Sequence, residues 1–303
     1  MRKIRIGTRG SRLALWQAQF VAAELKKFFP ALDVELVTVH TTGDKILDAP
    51  LAKIGGKGLF TKELEFQLAR GEIDAAVHSL KDVPTELPDG FRIAAITRRA
   101  QPFDAFVSNK FPTFDALPTG AVIGTSSLRR AAQVSALRPD VAIKNLRGNV
   151  ETRLGKLDAG DFDAIILAAA GLERLGHAAR IRELLTVIIP AAGQGALAIE
   201  TRGDDESTLR LVRRLNDAET FAAADVEREF LREVGGSCQV PVGVFAQVVN
   251  EQLTVRAVIA SPDGKRLVTD STTAPLDSPH IGLKLARRLL ELGGRKILDT
   301  LTN

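Results

Sequence analysis

From the N-terminus to about residue 215, short apolar runs alternate with stretches of helical periodicity. This alternation constrains the fold more than any other feature of the chain. The runs at 4–7, 34–40, 75–79, 92–96, 105–107, 122–124, 142–144, 164–167 and 196–200 predict strands. Many are continuously apolar, as strands covered on both faces are. Between them lie helical patterns. Ala14, Ala18, Val21, Leu25 and Phe28 follow 4-3-4-3 spacing, one face of a helix over 11–29, and Val150, Leu154 and Leu157 repeat the pattern. Together they predict α/β layers with largely parallel sheets. The strands are too many for one sheet of this length. Two sheets are expected, with a break near 96–104, where Arg98, Arg99, Gln101 and Pro102 interrupt the pattern.

The last third reads differently. A helix is predicted over 221–234, then a turn at 235–238. Alternating strands at 242–249 and 253–260 flank Asn250-Glu251, a hairpin signal. Asp263-Gly264 is a turn before a strand at 266–270, and a final helix covers 280–292. This predicts a small α+β domain of about 80 residues.

Hydrophobic residues make up 45% of the chain and charged residues 26%, ordinary values for a globular protein. A net charge of +4 gives no global field for nucleic acid, so anion binding must come from locally focused Arg and Lys. The charged lead Met1-Arg2-Lys3 has no apolar stretch of a secretory signal, and no window approaches a membrane span. With one cysteine, Cys238, these features predict a protein of the reducing cytoplasm. His40, His78, His177 and His280 show no metal-ligand spacing, so no metal site is expected. A long polar loop, Thr42-Gly43-Asp44 through Lys53-Ile54-Gly55-Gly56-Lys57-Gly58, has the composition of a lid or of a surface loop.

Ligands of open α/β sheets bind at the carboxyl ends of strands. Those ends carry Thr8-Arg9-Gly10-Ser11, Lys81-Asp82, Thr125-Ser126-Ser127-Leu128-Arg129-Arg130, Asn145-Leu146-Arg147-Gly148-Asn149 with Arg153, and Ala168-Ala169-Ala170-Gly171 with Arg174. Six arginines and one lysine over five ends predict a cleft for a polyanion, because guanidinium forks suit carboxylates and phosphates. Ser126 or Ser127 can cap the helix that follows. Asp82 is the odd member. A carboxylate among cations either caps a turn, holds a cationic part of the ligand, or moves a proton.

In order along the chain stand Gly7-Thr8-Arg9-Gly10-Ser11, Gly55-Gly56-Lys57-Gly58-Leu59-Phe60, His78-Ser79-Leu80-Lys81-Asp82-Val83-Pro84 and Gly124-Thr125-Ser126-Ser127-Leu128-Arg129-Arg130. Asn145-Leu146-Arg147-Gly148-Asn149, Gly193-Gln194-Gly195 and Cys238-Gln239-Val240-Pro241 follow. Each motif alone is weak. In this order, and end to end, the chain closely resembles the porphobilinogen deaminase (hydroxymethylbilane synthase) family. The resemblance implies an enzyme that joins four porphobilinogen molecules head to tail with loss of ammonia. It implies a dipyrromethane cofactor held by a thioether to Cys238. It also implies three domains: two alike, of the two-lobed periplasmic-binding-protein fold (1–98 with 194–216, and 99–193), and a small α+β domain (217–303) carrying the cysteine.

By the same resemblance Asp82 is the catalytic group. It stabilises cationic pyrrole intermediates and shuttles protons. Lys81, Thr125, Ser127, Arg129 and Arg130 bind cofactor carboxylates. Arg9, Ser11, Phe60, Arg147, Arg153, Arg174 and Gln194 bind porphobilinogen or the growing chain, and Lys53 and Lys57 belong to a lid. The partners implied are porphobilinogen and the growing polypyrrole, with no nucleic acid and no membrane, and the enzyme is expected to be a monomer. Two positions depart from the family's pattern. Ser237 stands where the family often has Gly. Gln101-Pro102-Phe103-Asp104 stands where it often has Asp-Pro-Arg-Asp, so an ion pair from that arginine is not expected. The rival reading is a non-catalytic organic-anion-binding protein of the two-lobed fold, which would need neither Asp82 nor Cys238.

Overall fold

A computed structural model describes residues 3–41, 61–235 and 240–302. The chain forms two compact units, Met1–Ala49 with Lys53–Ala100 and Ala196–Phe221, and Pro50–Ala52 with Gln101–Gly195 and Ala222–Asn303.

The first unit is built on a five-stranded sheet. Its strands are β1 (Lys3–Arg9), β2 (Asp33–Val39), β3 (Ala75–Ser79), β4 (Phe91–Ile96) and β10 (Leu197–Arg202), in the order β2-β1-β3-β10-β4. β2, β1 and β3 are parallel, while β10 runs antiparallel to both its neighbours. Helices cover both faces. On one, Ala18, Val21 and Leu25 of α1 (Arg12–Phe28) meet Ile4, Ile6, Val77 and Ile199. On the other, Leu64 and Leu68 of α2 (Lys62–Ala69) meet Val39, Ile73 and Ala76. Gly7 makes room for this contact, because an added Cβ would lie 2.3 Å from Ile73 Cδ1 and 2.9 Å from Leu64 Cδ2 and both side-chain ends would have to shift.

The second unit holds a sheet of the same design. β5 (Asp104–Val107), β6 (Val122–Gly124), β7 (Ala142–Lys144), β8 (Ala164–Ala168) and β9 (Glu183–Leu185) lie in the order β7-β6-β8-β5-β9. Again β7, β6 and β8 are parallel, and the fourth in space, β5, is antiparallel to both its neighbours. α3 (Leu128–Leu137), α4 (Val150–Asp158) and α5 (Ala169–Arg174) follow β6, β7 and β8. Four of the five strands in each sheet thus run in one direction, in line with the expectation of largely parallel sheets. The exception in each is the fourth strand in space, β10 or β5, which runs against both its neighbours. β9 was not expected; three residues leave no periodicity to read.

The same unit carries a three-stranded antiparallel sheet, β11 (Val242–Val249), β12 (Gln252–Ala260) and β13 (Leu267–Pro275). Asn250 and Glu251 turn the first hairpin with φ of 50° and 59°, as a two-residue loop of the primed type demands. One face packs on α7 (Ala218–Glu233) and α8 (Ile281–Leu289) through Phe230, Val244, Val255, Leu285 and Leu289. The expected final helix breaks at Gly293 (φ 117°) and resumes as α9 (Arg295–Thr302). α6 (Glu206–Val212) completes the first unit.

A buried polar group interrupts the α2 face of the first sheet. His78 Nε2 lies 3.0 Å from Glu200 Oε2, at ion-pair distance though not aligned as a hydrogen bond. Nearby Glu65 is buried. Burial raises its carboxyl pKa, the neighbouring Thr61 opposes this, and the charge of Glu200 adds to the rise. The native state thus holds a proton that the unfolded chain releases near pH 4.3. Glu65 costs nothing below that pH and costs stability as pH rises through its native value. Glu65→Gln is expected to gain stability relative to wild type between pH 4 and pH 8, read from urea midpoints across that range. An unchanged difference would exclude a raised Glu65 pKa.

Candidate active site

In the first unit β1 and β3 are adjacent and parallel, with Gly7 beside Ala76, so their carboxyl ends open on the same edge. At one end stand Arg9 and Ser11. Ser11 caps α1, its Oγ accepting from the Ala14 N–H at 3.3 Å. At the other, a single 3₁₀ turn, Leu80–Asp82, follows β3. Three bonds fix this turn. Gln17 Nε2 donates to Ser79 Oγ (2.8 Å), the Leu80 N–H to the Ala196 carbonyl (3.0 Å), and the Val83 N–H to the Leu80 carbonyl (3.1 Å). Leu80 and Val83 point inward and are buried, which leaves Lys81 half-buried and Asp82 exposed. Asp82 is thus an accessible carboxylate on a rigid turn, at the same sheet edge as Arg9, Ser11 and Lys81.

In the second unit β6, β7 and β8 are parallel and their carboxyl ends share an edge. Ser127 caps α3, accepting from the Arg130 N–H at 3.4 Å, and its own N–H donates to Thr125 Oγ1 at 3.3 Å. Arg129 and Arg130 therefore fall in the first helical turn, where the dipole disfavours cations. Asp104, at the start of β5, compensates. Its Oδ2 accepts from Arg129 Nη1 (2.8 Å) and its Oδ1 from Arg130 Nε (2.9 Å). Both arginines are nearly buried, 5% and 6% exposed. Burial pushes the Asp104 pKa up, but the charges and hydrogen bonds of the two arginines outweigh it and hold the carboxyl far below the usual range. Burial conversely lowers the Arg129 pKa, against the pull of Asp104. Two guanidiniums on one carboxylate leave the cluster one positive charge in surplus.

Gln194 joins the same cluster, its Nε2 donating to Asp104 Oδ1 (3.0 Å) and the Pro102 carbonyl (2.7 Å). Arg153 Nε donates to the Gly148 carbonyl at 2.8 Å from the first turn of α4, which Asn149 caps through the Thr152 N–H at 2.8 Å. Arg147 is half-buried, and its buried Nε has no hydrogen-bond partner among the described residues. Arg174 donates to the Gly195 carbonyl at 2.7 Å. Burial lowers its pKa to about 10, so it stays charged at neutral pH.

The structure thus gathers Arg129, Arg130 and Gln194 on one carboxylate and sets Thr125, Ser127, Arg147, Arg153 and Arg174 along the same sheet's carboxyl ends. Phe60 and Cys238, with Lys53, Lys57 and Ser237, lie outside the described residues. Sequence reasoning missed Asp104 as the hub of the arginines. The available signal was a carboxylate opening an otherwise apolar run. It also missed Gln133, whose Nε2 donates to the carbonyls of Arg129 (3.3 Å) and Ile189 (3.1 Å).

The family model described as "Porphobilinogen deaminase, dipyromethane cofactor binding domain" matches residues 4–210, and "Porphobilinogen deaminase, C-terminal domain" matches 221–291. The chain belongs to the porphobilinogen deaminase family. A porphobilinogen deaminase from Syntrophomonas wolfei is 51% identical over 98% of this chain and 98% of its own. One from Chromobacterium violaceum is 52% identical over 98% of this chain and 97% of its own. A periplasmic substrate-binding protein of an ABC transporter from Coxiella burnetii is 16% identical, with a TM-score of 0.46 over 74% of this chain and 96% of that one. A porphobilinogen deaminase needs places for the carboxylates of a dipyrromethane cofactor, and the second unit fits. The Asp104 cluster has a surplus positive charge, and Arg147 Nε and Gln194 Oε1 are buried without partners among the described residues. Among the described residues no group of three His, Cys, Asp or Glu could hold a metal, and no helix is long and apolar enough to cross a membrane.

Proposed function

We propose that Asp82 and the arginines at the two sheet edges carry out the family's reaction in this chain, the joining of four porphobilinogen molecules into hydroxymethylbilane. The chain is a hydroxymethylbilane synthase by family. In each addition the carbon–nitrogen bond of the substrate's aminomethyl group breaks and ammonia leaves with a proton. A carbon–carbon bond forms from the freed methylene to the terminal pyrrole α-carbon, which loses its proton. The dipyrromethane supplies that first α-carbon as a primer.

The residues of the chain do the rest. Positive charge develops on pyrrole nitrogen as ammonia departs and again before the α-proton leaves. An accessible carboxylate on a fixed turn stabilises that charge without reorganising, and its oxygens can take and return the proton. Asp82 meets this description. Each ring brings an acetate and a propionate, so the bound chain gains two negative charges per addition. Arg129 and Arg130, with Lys81, Thr125 and Ser127, hold the cofactor's carboxylates. Arg9, Ser11, Phe60, Arg147, Arg153, Arg174 and Gln194 bind the incoming substrate and growing chain. The observation that carries this reading is the Asp104 cluster, whose two arginines are desolvated yet incompletely neutralised. A site of that kind favours anions strongly, because no water competes for the guanidiniums.

Residues 1–98 with 194–216, 99–193 and 217–303 act as three domains in this reading, and Cys238 bears the thioether. The three sheets support that partition. The single cysteine supports a cytoplasmic location and the net charge of only +4 a lack of nucleic-acid partner, while the monomer follows from the family resemblance alone. An organic-anion binder would explain the arginines but is not favoured by the family matches.

The test is the intact mass of the purified protein, with peptides mapped around Cys238. A mass excess of two linked pyrroles on Cys238 is expected, and added porphobilinogen should build a ladder of heavier species. Cys238→Ser should carry no such excess. A wild-type Cys238 that stays bare after incubation with porphobilinogen would overturn the reading.

A further inference from the structure

Glu227 lies on α7 and is 0% exposed. Its Oε2 accepts from the Gly193 N–H at 2.6 Å and its Oε1 from the Ala246 N–H at 2.7 Å. These are short, charge-assisted bonds to two separate elements. α7 ends at Glu233 and β11 begins at Val242, so Glu227 ties together the two shoulders of the segment that carries Cys238. Through Gly193 it also grips the ribbon 188–194. The same ribbon is also bonded to the arginine cluster. The Ile189 carbonyl accepts from Arg129 Nη1 (2.8 Å), the Ile189 N–H donates to Gln133 Oε1 (2.8 Å), and Gln194 reaches Asp104.

β11 presses on the ribbon directly. The Val244 N–H donates to the Pro190 carbonyl at 3.0 Å. At Gly243 an added Cβ would lie 2.7 Å from the Ile189 carbonyl oxygen and 3.1 Å from that of Pro190. Both are backbone atoms and cannot move aside as a flexible side-chain end could. The carbonyl that Gly243 admits is the one Arg129 binds.

We infer that Glu227 and Gly243 are positioning residues that set, through the ribbon 188–194, the separation between the cofactor's two anchors, the Cys238 thioether and the Arg129–Arg130 pair. The inference rests on the assignment of those anchors above. A ligand held at two points gains from the second only if the spacing matches, since a rigid mismatch of about 1 Å can forfeit a large factor in rate. Neither residue touches the cofactor in this account.

The experiment uses cofactor-free full-length protein, wild type, Gly243→Ala and Glu227→Gln. Each receives preformed hydroxymethylbilane, and covalent loading is followed by intact mass. In parallel, Cys238 is alkylated with iodoacetamide, which needs one anchor only. Both variants should load about 10-fold more slowly or worse, with alkylation within about twofold of wild type. Loading at the wild-type rate, or an equal change in both reactions, would overturn the inference, since the spacing would then not matter. If the variants do not fold, wild-type protein decides. Amide exchange at Gly193 and Ala246 should slow together by about 10-fold in cofactor-loaded protein relative to Cys238→Ser, and unchanged exchange overturns the inference. Failure of wild type to load at Cys238 would instead remove the cofactor assignment itself.

Discussion

Asp82→Ala should lower turnover by about three orders of magnitude or more while leaving the fold intact. The two halves of this expectation come from different observations. The side chain is exposed and sits on a turn held by backbone bonds of Leu80 and Val83 and by the buried side chains of those two residues. Removing it deletes no packing, so urea unfolding should shift by less than about 0.5 kcal/mol. The catalytic loss is large because no other carboxylate stands in the turn, and a neighbouring lysine cannot stabilise positive charge. Asp82→Asn separates charge from shape. The amide keeps the size and can accept a hydrogen bond, yet it can neither balance a cation nor carry a proton. It should be nearly as slow as the alanine variant. Near-normal turnover by either variant, measured as hydroxymethylbilane formed per covalently loaded enzyme, would remove Asp82 from the mechanism.

Asp104→Asn is expected to do the most damage to the fold. Arg129 and Arg130 are both buried on that carboxylate, and its loss leaves two guanidiniums in a low-dielectric site with no counter-charge. Breaking one side of a buried ion cluster costs about 3–5 kcal/mol, much more than the net worth of the cluster against an apolar core. Acid should mimic the substitution. The native Asp104 pKa is depressed, so its contribution is fully present above the unfolded value near 3.9 and is lost as pH falls toward the native one. Wild type should therefore lose stability below about pH 4 more steeply than Asp104→Asn. Parallel urea midpoints against pH for the two proteins would contradict the depressed pKa. The Arg138–Asp140 pair, at 2.7 Å, is only half-buried and so should contribute less, which makes Asp140→Asn a comparison.

The architecture was largely legible in the sequence because apolar strands buried on both faces leave continuous runs. The runs at 75–79 and 122–124 coincide with β3 and β6, and the run at 164–167 falls within β8. The hairpin was legible because Asn250-Glu251 must adopt positive φ. The direction of β5 and β10 alone was not, since they owe their antiparallel placement to neighbours far away in sequence. The arginines were visible as types at strand ends. Their burial was not, because nothing local says that Arg129 and Arg130 fold under Asp104 rather than out to solvent. Phe103 gives the same lesson. It stands where the family often has arginine, and it packs against Phe245 with ring centroids 5.5 Å apart, so an ion-pair position has become an apolar contact.

The placement of β10 also bears on synthesis at the ribosome. β3 and β4 have no bond to each other; both pair with β10, which is made about 100 residues after β4. Until residues 197–202 emerge, the first sheet exists as two pieces with open edges at the two strands that will flank β10. The second five-stranded sheet, whose strands span 104–185, is complete before then. The nascent chain therefore finishes its second sheet first. The exposed edges of β3 and β4 are the surfaces that a chaperone would have to guard in the interval.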